Sequence, residues 1–211
     1  MVARSAGAPD AKSGISLFLV AKEAKGLRIE RQARVDSRGA ALVHLAGCQV
    51  GADALIGALG EGLPVLEAAV DRATVGLCAE MFGSMSQAFD RTLDYLKHRV
   101  QFGVPIGSFQ ALKHRAAELF IQIELCRSAV MAAARALDAG SADAPALVSL
   151  AKARCSDAAI QVANEAIQMH GGIGMTDEHE IGFYLKRARV AELTLGDGAW
   201  HRARWARLAG Y

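Results

Sequence analysis

Proline, aromatic residues and excess charge are all scarce in this sequence. Only 4 of its 211 residues are proline and 6% are aromatic, which excludes a collagen-like chain and argues against an aromatic-rich β-sandwich. The net charge is +2, so there is no strong electrostatic case for a nucleic-acid partner. The 4 cysteines, Cys48, Cys78, Cys126 and Cys155, are widely scattered with no CxxC pair. That spacing suits neither a disulfide framework nor a zinc site, and they read as small buried apolar residues in a reducing compartment. No uncharged apolar run reaches the ~18 residues a membrane helix needs. The run Ile15–Val20 is also too short for the core of a signal peptide. The expectation is a cytoplasmic chain with no membrane segment.

What is present is apolar mass: 52% of residues are hydrophobic, enough for a substantial core in one or two domains. Up to about residue 60 the pattern is strand-like. Ile15–Val20 is a short apolar run, Leu27–Arg34 alternates as a half-buried strand, and Ala40–Leu45 is a third candidate, with turn chemistry at Gly26 and Asp36–Gly39. Beyond residue 60 the period becomes 3.6. Leu66, Val70, Leu77, Met81, Met85 and Leu93 keep one face apolar, predicting a helix from Leu63 to about Arg99. The turn Gly103–Gly107 ends it. Ser108 is the expected N-cap of a second helix to about Asp138, with Gly140 just beyond. A third is expected from Asp143–Pro145 to His170, stopped by Gly171–Gly172. A fourth covers about Asp177–Leu195, and a short fifth follows Gly196–Asp197–Gly198. Long helices joined by short loops make a helical bundle.

Within this frame, Tyr95-Leu96-Lys97-His98-Arg99-Val100-Gln101-Phe102-Gly103 is followed by Pro105-Ile106-Gly107-Ser108-Phe109-Gln110 and, some sixty residues later, by Gln168-Met169-His170-Gly171-Gly172-Ile173-Gly174. In order and spacing these segments resemble the two signatures of the acyl-CoA dehydrogenase family. Gly14–Val20 and Gly60–Gly62 also resemble its middle β-domain and the start of its C-terminal bundle. The likeness covers essentially the whole chain and corresponds to the second half of the family fold. It implies a mainly α protein: a partial antiparallel middle β-domain over residues 1–60, then a four-helix up-down bundle over residues 61–211. It also implies α,β-desaturation of an acyl-CoA thioester with FAD, in which a carboxylate removes the α-proton.

By the same resemblance Arg99, Gln101, Phe102, Phe109 and Gln110 sit at FAD-contacting positions. An Arg forks onto a pyrophosphate and aromatic rings cover flat apolar parts of a cofactor. Gln168, Gly171, Gly172 and Gly174 match the loop that reaches the FAD of a neighbouring subunit, glycine permitting close backbone approach. The implied assembly is a homo-oligomer, dimer or tetramer, or a heteromer with a paired dehydrogenase subunit. The usual electron acceptor would be an electron-transfer flavoprotein.

The base is where the sequence departs from the family. After Lys186-Arg187-Ala188-Arg189 the usual glutamate position falls at Leu195, followed by Gly196, and the alternative position on the first bundle helix falls at Ala73. Asp71 lies roughly 200° round the helix from Ala73. Asp197 reads as the N-cap of the last helix, and Glu192 lies one turn back. The reading is therefore an FAD-dependent acyl-CoA dehydrogenase, or one subunit of a heteromeric one; the alternative is an inactive chain serving assembly. His98, His114, His170, His179 and His201 show no metal spacing. Trp200 and Trp205, in the basic C-terminal stretch, are expected to pack a subunit interface.

Overall fold

The computed structural model describes all 211 residues, Met1–Tyr211. The chain divides into two compact units, Met1–Val70 and Asp71–Tyr211. The first carries strands β1 (Val2–Arg4), β2 (Ile15–Phe18), β3 (Leu27–Gln32), β4 (Ala40–Leu45) and β5 (Leu55–Ile56). They make an antiparallel β1–β2–β5 sheet and a separate β3–β4 hairpin. Val2 lies opposite Leu17, which faces Ile56; in the hairpin Leu27 opposes Leu45. Ser16, in the middle strand, is fully buried. Its hydroxyl sits 2.7 Å from that of Ser5 and accepts the Gly60 N–H at 2.8 Å. Gly14 has φ +81°, and a Cβ there would lie 2.0 Å from the Ala6 carbonyl oxygen, so the turn before β2 admits no side chain.

Three expectations for this unit change. β1 and β5 were not foreseen, because strands of 3 and 2 residues carry too few side chains to display a period. The run from Ile15 is a strand only to Phe18. The strand at Leu27 stops at Gln32 and is not half-buried: only Leu27 is partly covered, while Ile29, Leu42, Val43 and Leu45 are all exposed.

Helix α1 (Leu63–His98) begins before the boundary and provides the first helix of the second unit. Next come β6 (Val100–Gln101), β7 (Val104–Pro105), α2 (Gln110–Asp138), α3 (Ala144–His170), α4 (Ile181–Leu193) and α5 (Gly198–Leu208). The 36 residues of α1 extend about 54 Å at the usual helical rise. Cys78, Met81, Met85 and Ala88 of α1 form one buried cluster with Leu119, Ile123 and Val130 of α2 and Val148, Cys155 and Val162 of α3. The spacing of three, four and seven residues along these helices is that of a single buried face in each. α3 packs against α2, α4 and α5. Its buried Ala151, Ala158, Ala159, Ala163 and Ala166 allow close approach of the neighbouring helices. The architecture is thus mainly α, a helical bundle with a small antiparallel sheet portion, as expected.

The helix ends have local causes. At the end of α2 the Ser141 N–H bonds to Ala136 O and the Gly140 N–H to Leu137 O. With Gly140 at φ +62°, this is the paired bonding of a Schellman cap. Ser108 is not the N-cap of α2: it lies in a 3₁₀ turn, Ile106–Ser108, and Phe109 occupies the cap without a side-chain bond. α4 starts at Ile181 and ends at Leu193, inside the expected Asp177–Leu195. Its Ile181 N–H is taken by His179 Nδ1 at 3.2 Å, and the preceding Gly171–Met175 forms a 3₁₀ turn. Asp197 caps α5 as expected, accepting the Trp200 N–H at 2.8 Å. Cys78, Cys126 and Cys155 are fully buried, whereas Cys48 is only half-buried; all four are free thiols.

Candidate functional site

The first signature does not end in a simple turn. β6 and β7 pair with Gln101 opposite Val104, leaving Phe102 and Gly103 as a two-residue hairpin loop. Both have positive φ, +55° and +80°, as a type I′ turn requires. Glycine adopts this readily. A phenylalanine does not, and a left-handed side-chain-bearing residue costs about 1–2 kcal/mol. Phe102 is also 91% exposed. The fold thus holds an aromatic ring out into solvent on a strained backbone, a combination typical of functional positions.

That hairpin forms one wall of a concavity of about 520 Å³. Arg99, Gln101, Phe102 and Phe109 line one side, and Gln168, Gly171 and Gly172 the other. Arg99 is placed by the last turn of α1, and its guanidinium makes no ion pair. Phe102 and Phe109 meet edge to face with ring centres 6.1 Å apart. Gly171 has φ +66° at the end of α3, and nothing lies within 4 Å of where a Cβ would stand on Gly171 or Gly172. Two expected residues are not in the lining. Gln110 is an exposed first residue of α2. Gly174 is buried, and its Cβ would lie 2.6 Å from Ile167 O and 3.0 Å from His170 Cβ, so it serves the chain's path.

Tyr95 and His170 also line the concavity without having been singled out. Tyr95 precedes Arg99 by four residues, which puts both on one helical face. Its ring stacks on His170 at 4.4 Å, and the His179 ring lies 4.6 Å from His170 and 6.3 Å from Tyr95. His170 is 3% exposed. Its Nδ1 donates to Ala166 O at 2.7 Å, and its Nε2 is buried with no partner. Burial pushes the imidazole below the ordinary histidine range, opposed by the Ala166 bond and aided by His179.

The α4–α5 corner holds a second polar centre. Leu195 has φ +61° and packs partly buried against the bundle core. Its carbonyl accepts from His201 Nε2 at 3.0 Å. Lys152, fully buried on α3, donates to Glu192 O at 2.8 Å, Gly196 O at 2.7 Å and Ser156 Oγ at 3.2 Å. Burial pushes this ammonium below the usual lysine range, while the Cys78 thiol and the Glu192 carboxylate pull the other way. Nothing in the sequence marked Lys152, because two of its three partners are backbone carbonyls.

Every carboxylate weighed as a substitute base is engaged. Asp71 is 5% exposed and takes a two-pronged bond from Arg204 at 2.6 and 2.9 Å. Glu192 pairs with Arg189, and Asp197 caps α5. Ala73 is exposed. Arg187 joins Glu80 through 2.7 and 2.9 Å bonds, tying α4 to α1. No group of side chains suits a metal ion, and no helix is long and apolar enough to cross a membrane. Trp200 and Trp205 are partly exposed.

Known proteins resemble this chain in sequence and in fold. The family model "Acyl-CoA dehydrogenase, C-terminal domain" matches residues 60–209. Acyl-CoA dehydrogenase IpdE2 of Mycolicibacterium smegmatis is 45% identical over 128 residues, covering 60% of this chain and 39% of the relative. The ChsE4–ChsE5 complex of Mycobacterium tuberculosis superposes with a TM-score of 0.84 at 28% identity, over 94% of this chain and 53% of that one. A structure described as PigA with FAD and proline gives 0.88 at 27% identity, over 93% and 52%. The chain thus spans about half, or less, of the length of the proteins it resembles. With the family's C-terminal domain matched across the bundle and the fold shared throughout, this chain belongs to the acyl-CoA dehydrogenase family.

Proposed function

We propose that this chain is one subunit of a heteromeric, FAD-linked acyl-CoA dehydrogenase, supplying part of the cofactor site while another chain supplies the proton-abstracting carboxylate. The observation that carries the reading is the concavity itself. It joins an unpaired guanidinium, two amide side chains, an aromatic pair and open glycine backbone. These groups fit a dinucleotide. Arg99 would hold the pyrophosphate, Gln101 and Gln168 would bond polar edges, and Phe102 and Phe109 would cover a flat ring and exclude water. His170, whose Nε2 is buried without a partner, belongs to the same lining. Bound FAD would supply the hydride acceptor for desaturation.

The heteromeric part rests on what Leu195 and Ala73 cannot do. Neither takes a proton, and Asp71, Glu192 and Asp197 are already committed. The described ChsE4–ChsE5 assembly supports unequal pairing in a protein of similar fold. The substrate is an acyl-CoA thioester, and the electron acceptor an electron-transfer flavoprotein. Leu195 also favours a second reading, a chain that serves oligomer assembly alone.

Flavin absorbance and native mass of the purified full chain separate the two. Stoichiometric FAD in an oligomer is expected, and Arg99→Ala should weaken FAD binding roughly tenfold or more, as loss of a charge-assisted bond implies. A colourless oligomer that takes up no added FAD would mean that the bundle assembles without cofactor, as a chain serving assembly or a subunit awaiting its partner does. Flavin content unchanged by Arg99→Ala would remove Arg99 from the site.

A further inference from the structure

Helix α2 carries two stripes of regular spacing, and the bundle uses only one. Ala116, Leu119, Ile123, Cys126, Val130 and Ala133 are buried and form its inward face. Glu118, Ile121, Leu125, Ser128, Ala132 and Arg135 are all exposed. They too recur every three and four residues. Leu125 stands two residues beyond Ile123, roughly 200° round the helix, so this second stripe faces away from the bundle. It runs for about five turns. Ile121 and Leu125, at its centre, are 55% and 48% exposed, and Phe120 and Met131 beside it are 52% and 48% exposed. Single exposed apolar residues are ordinary, but four large ones on the outer side of one helix mark a contact surface.

The order of residues along the stripe says what covers it. A second α2 laid antiparallel, with a two-fold axis at the level of Cys126 and Arg127, sets Leu125 opposite Ser128, Ile121 opposite Ala132 and Glu118 opposite Arg135. Each apolar pair then joins a large side chain to a small one, which lets the helices approach closely. Each end joins opposite charges. A parallel second copy would instead set Glu118 on Glu118 and Arg135 on Arg135. Both of these charges are without an ion pair inside the chain, whereas Glu124 and Arg127 between them pair with each other at 3.1 Å. Complementarity to its own reverse is what a two-fold contact between identical surfaces requires, and an average spacing of 3.5 residues suits a left-handed helix pair. We propose that α2 is a homotypic interface, through which two copies of this chain pack antiparallel along the Glu118–Arg135 stripe. No residue of the stripe lines the concavity, so this surface is separate from the cofactor site and does not depend on the FAD reading. In a heteromeric enzyme it joins like to like, so the assembly contains two copies of this chain.

The test is sedimentation of the full chain across a dilution series. The parent should run as two or more copies of the 22.3 kDa chain. Leu125→Glu places two carboxylates in the middle of the contact. It should halve the mass at a given concentration and weaken self-association roughly a hundredfold or more. Because Leu125 is half exposed, its circular dichroism should match the parent's. Glu118→Arg and Arg135→Glu should each weaken association about tenfold, since each brings like charges together twice. Combined in one chain they exchange the two ends and should restore the parent affinity, which a parallel or unrelated contact would not do. Failure of the double reversal to recover affinity overturns the pairing, as does a mass unchanged by Leu125→Glu. A parent chain that stays monomeric at about 100 µM overturns it too, and leaves the stripe to a partner of different sequence. The cofactor reading fails separately: an assembly that responds to these substitutions but takes up no FAD keeps the interface and loses the cofactor, and a monomer that binds FAD does the reverse.

Discussion

At the scale of single residues the site divides into groups with partners and groups without. Lys152 belongs to the first kind. Its three acceptors match the three donors of an ammonium, and two of them are the carbonyls of Glu192 and Gly196 that bracket the α4–α5 corner. The charge also lies against the carbonyl end of α4, where a cation is favoured. Lys152→Met keeps the length of the side chain and removes the donors. It should lower stability by about 2–5 kcal/mol, since buried carbonyls are left unpaired, and denaturant unfolding would measure it. A loss below 0.5 kcal/mol would mean that His201 and the Asp197 cap hold the corner unaided. Arg99 was legible in the sequence because its neighbours form a motif. Lys152 and the orphan nitrogen of His170 were not, because their meaning lies in the backbone groups that meet them, or fail to meet them, in three dimensions.

At the scale of elements, the long helices were legible and the short pieces were not. A period of 3.6 sustained over the 36 residues of α1 declares itself. The two-residue strands β6 and β7 cannot, so the first signature was read as a turn where the structure has a hairpin. The start of α4 was misplaced because residues 177–180 form a turn: the N-cap is Glu180, with no side-chain cap bond, and the Ile181 N–H goes to His179 Nδ1 one residue further out, which no cap preference anticipates. The hairpin gives a sharp expectation. Asn-Gly is the favoured pair for a type I′ loop, and Phe102 is almost wholly exposed, so little packing is lost on its removal. Phe102→Asn should therefore raise stability by roughly 1 kcal/mol while weakening FAD binding, the trade-off expected where strain serves function. Thermal unfolding with and without FAD reads both effects. A variant that is neither more stable nor weaker in binding would show that the exposed ring has no role.

At the scale of the whole molecule, two buried histidines set the response to acid. Burial pushes both His170 and His201 below the ordinary histidine range. The unfolded chain then binds protons more readily than the folded one once the pH drops below about 6.5. Stability should fall between about pH 6.5 and the depressed values, and be fully present above that window. Melting temperatures from pH 7.5 to pH 5 at constant ionic strength would show the decline; a flat profile would mean that both rings titrate normally. The bundle and its third helix were foreseen from alanine content and helical period, but not that this helix would be the central one. α3 meets its neighbours largely through alanine, so backbone contact rather than rotamer choice sets the helix spacing. A helix of this kind offers mutation no slack in size. Its chemically plainest positions are those where variation toward anything larger is most restricted, while the exposed residues between them drift freely.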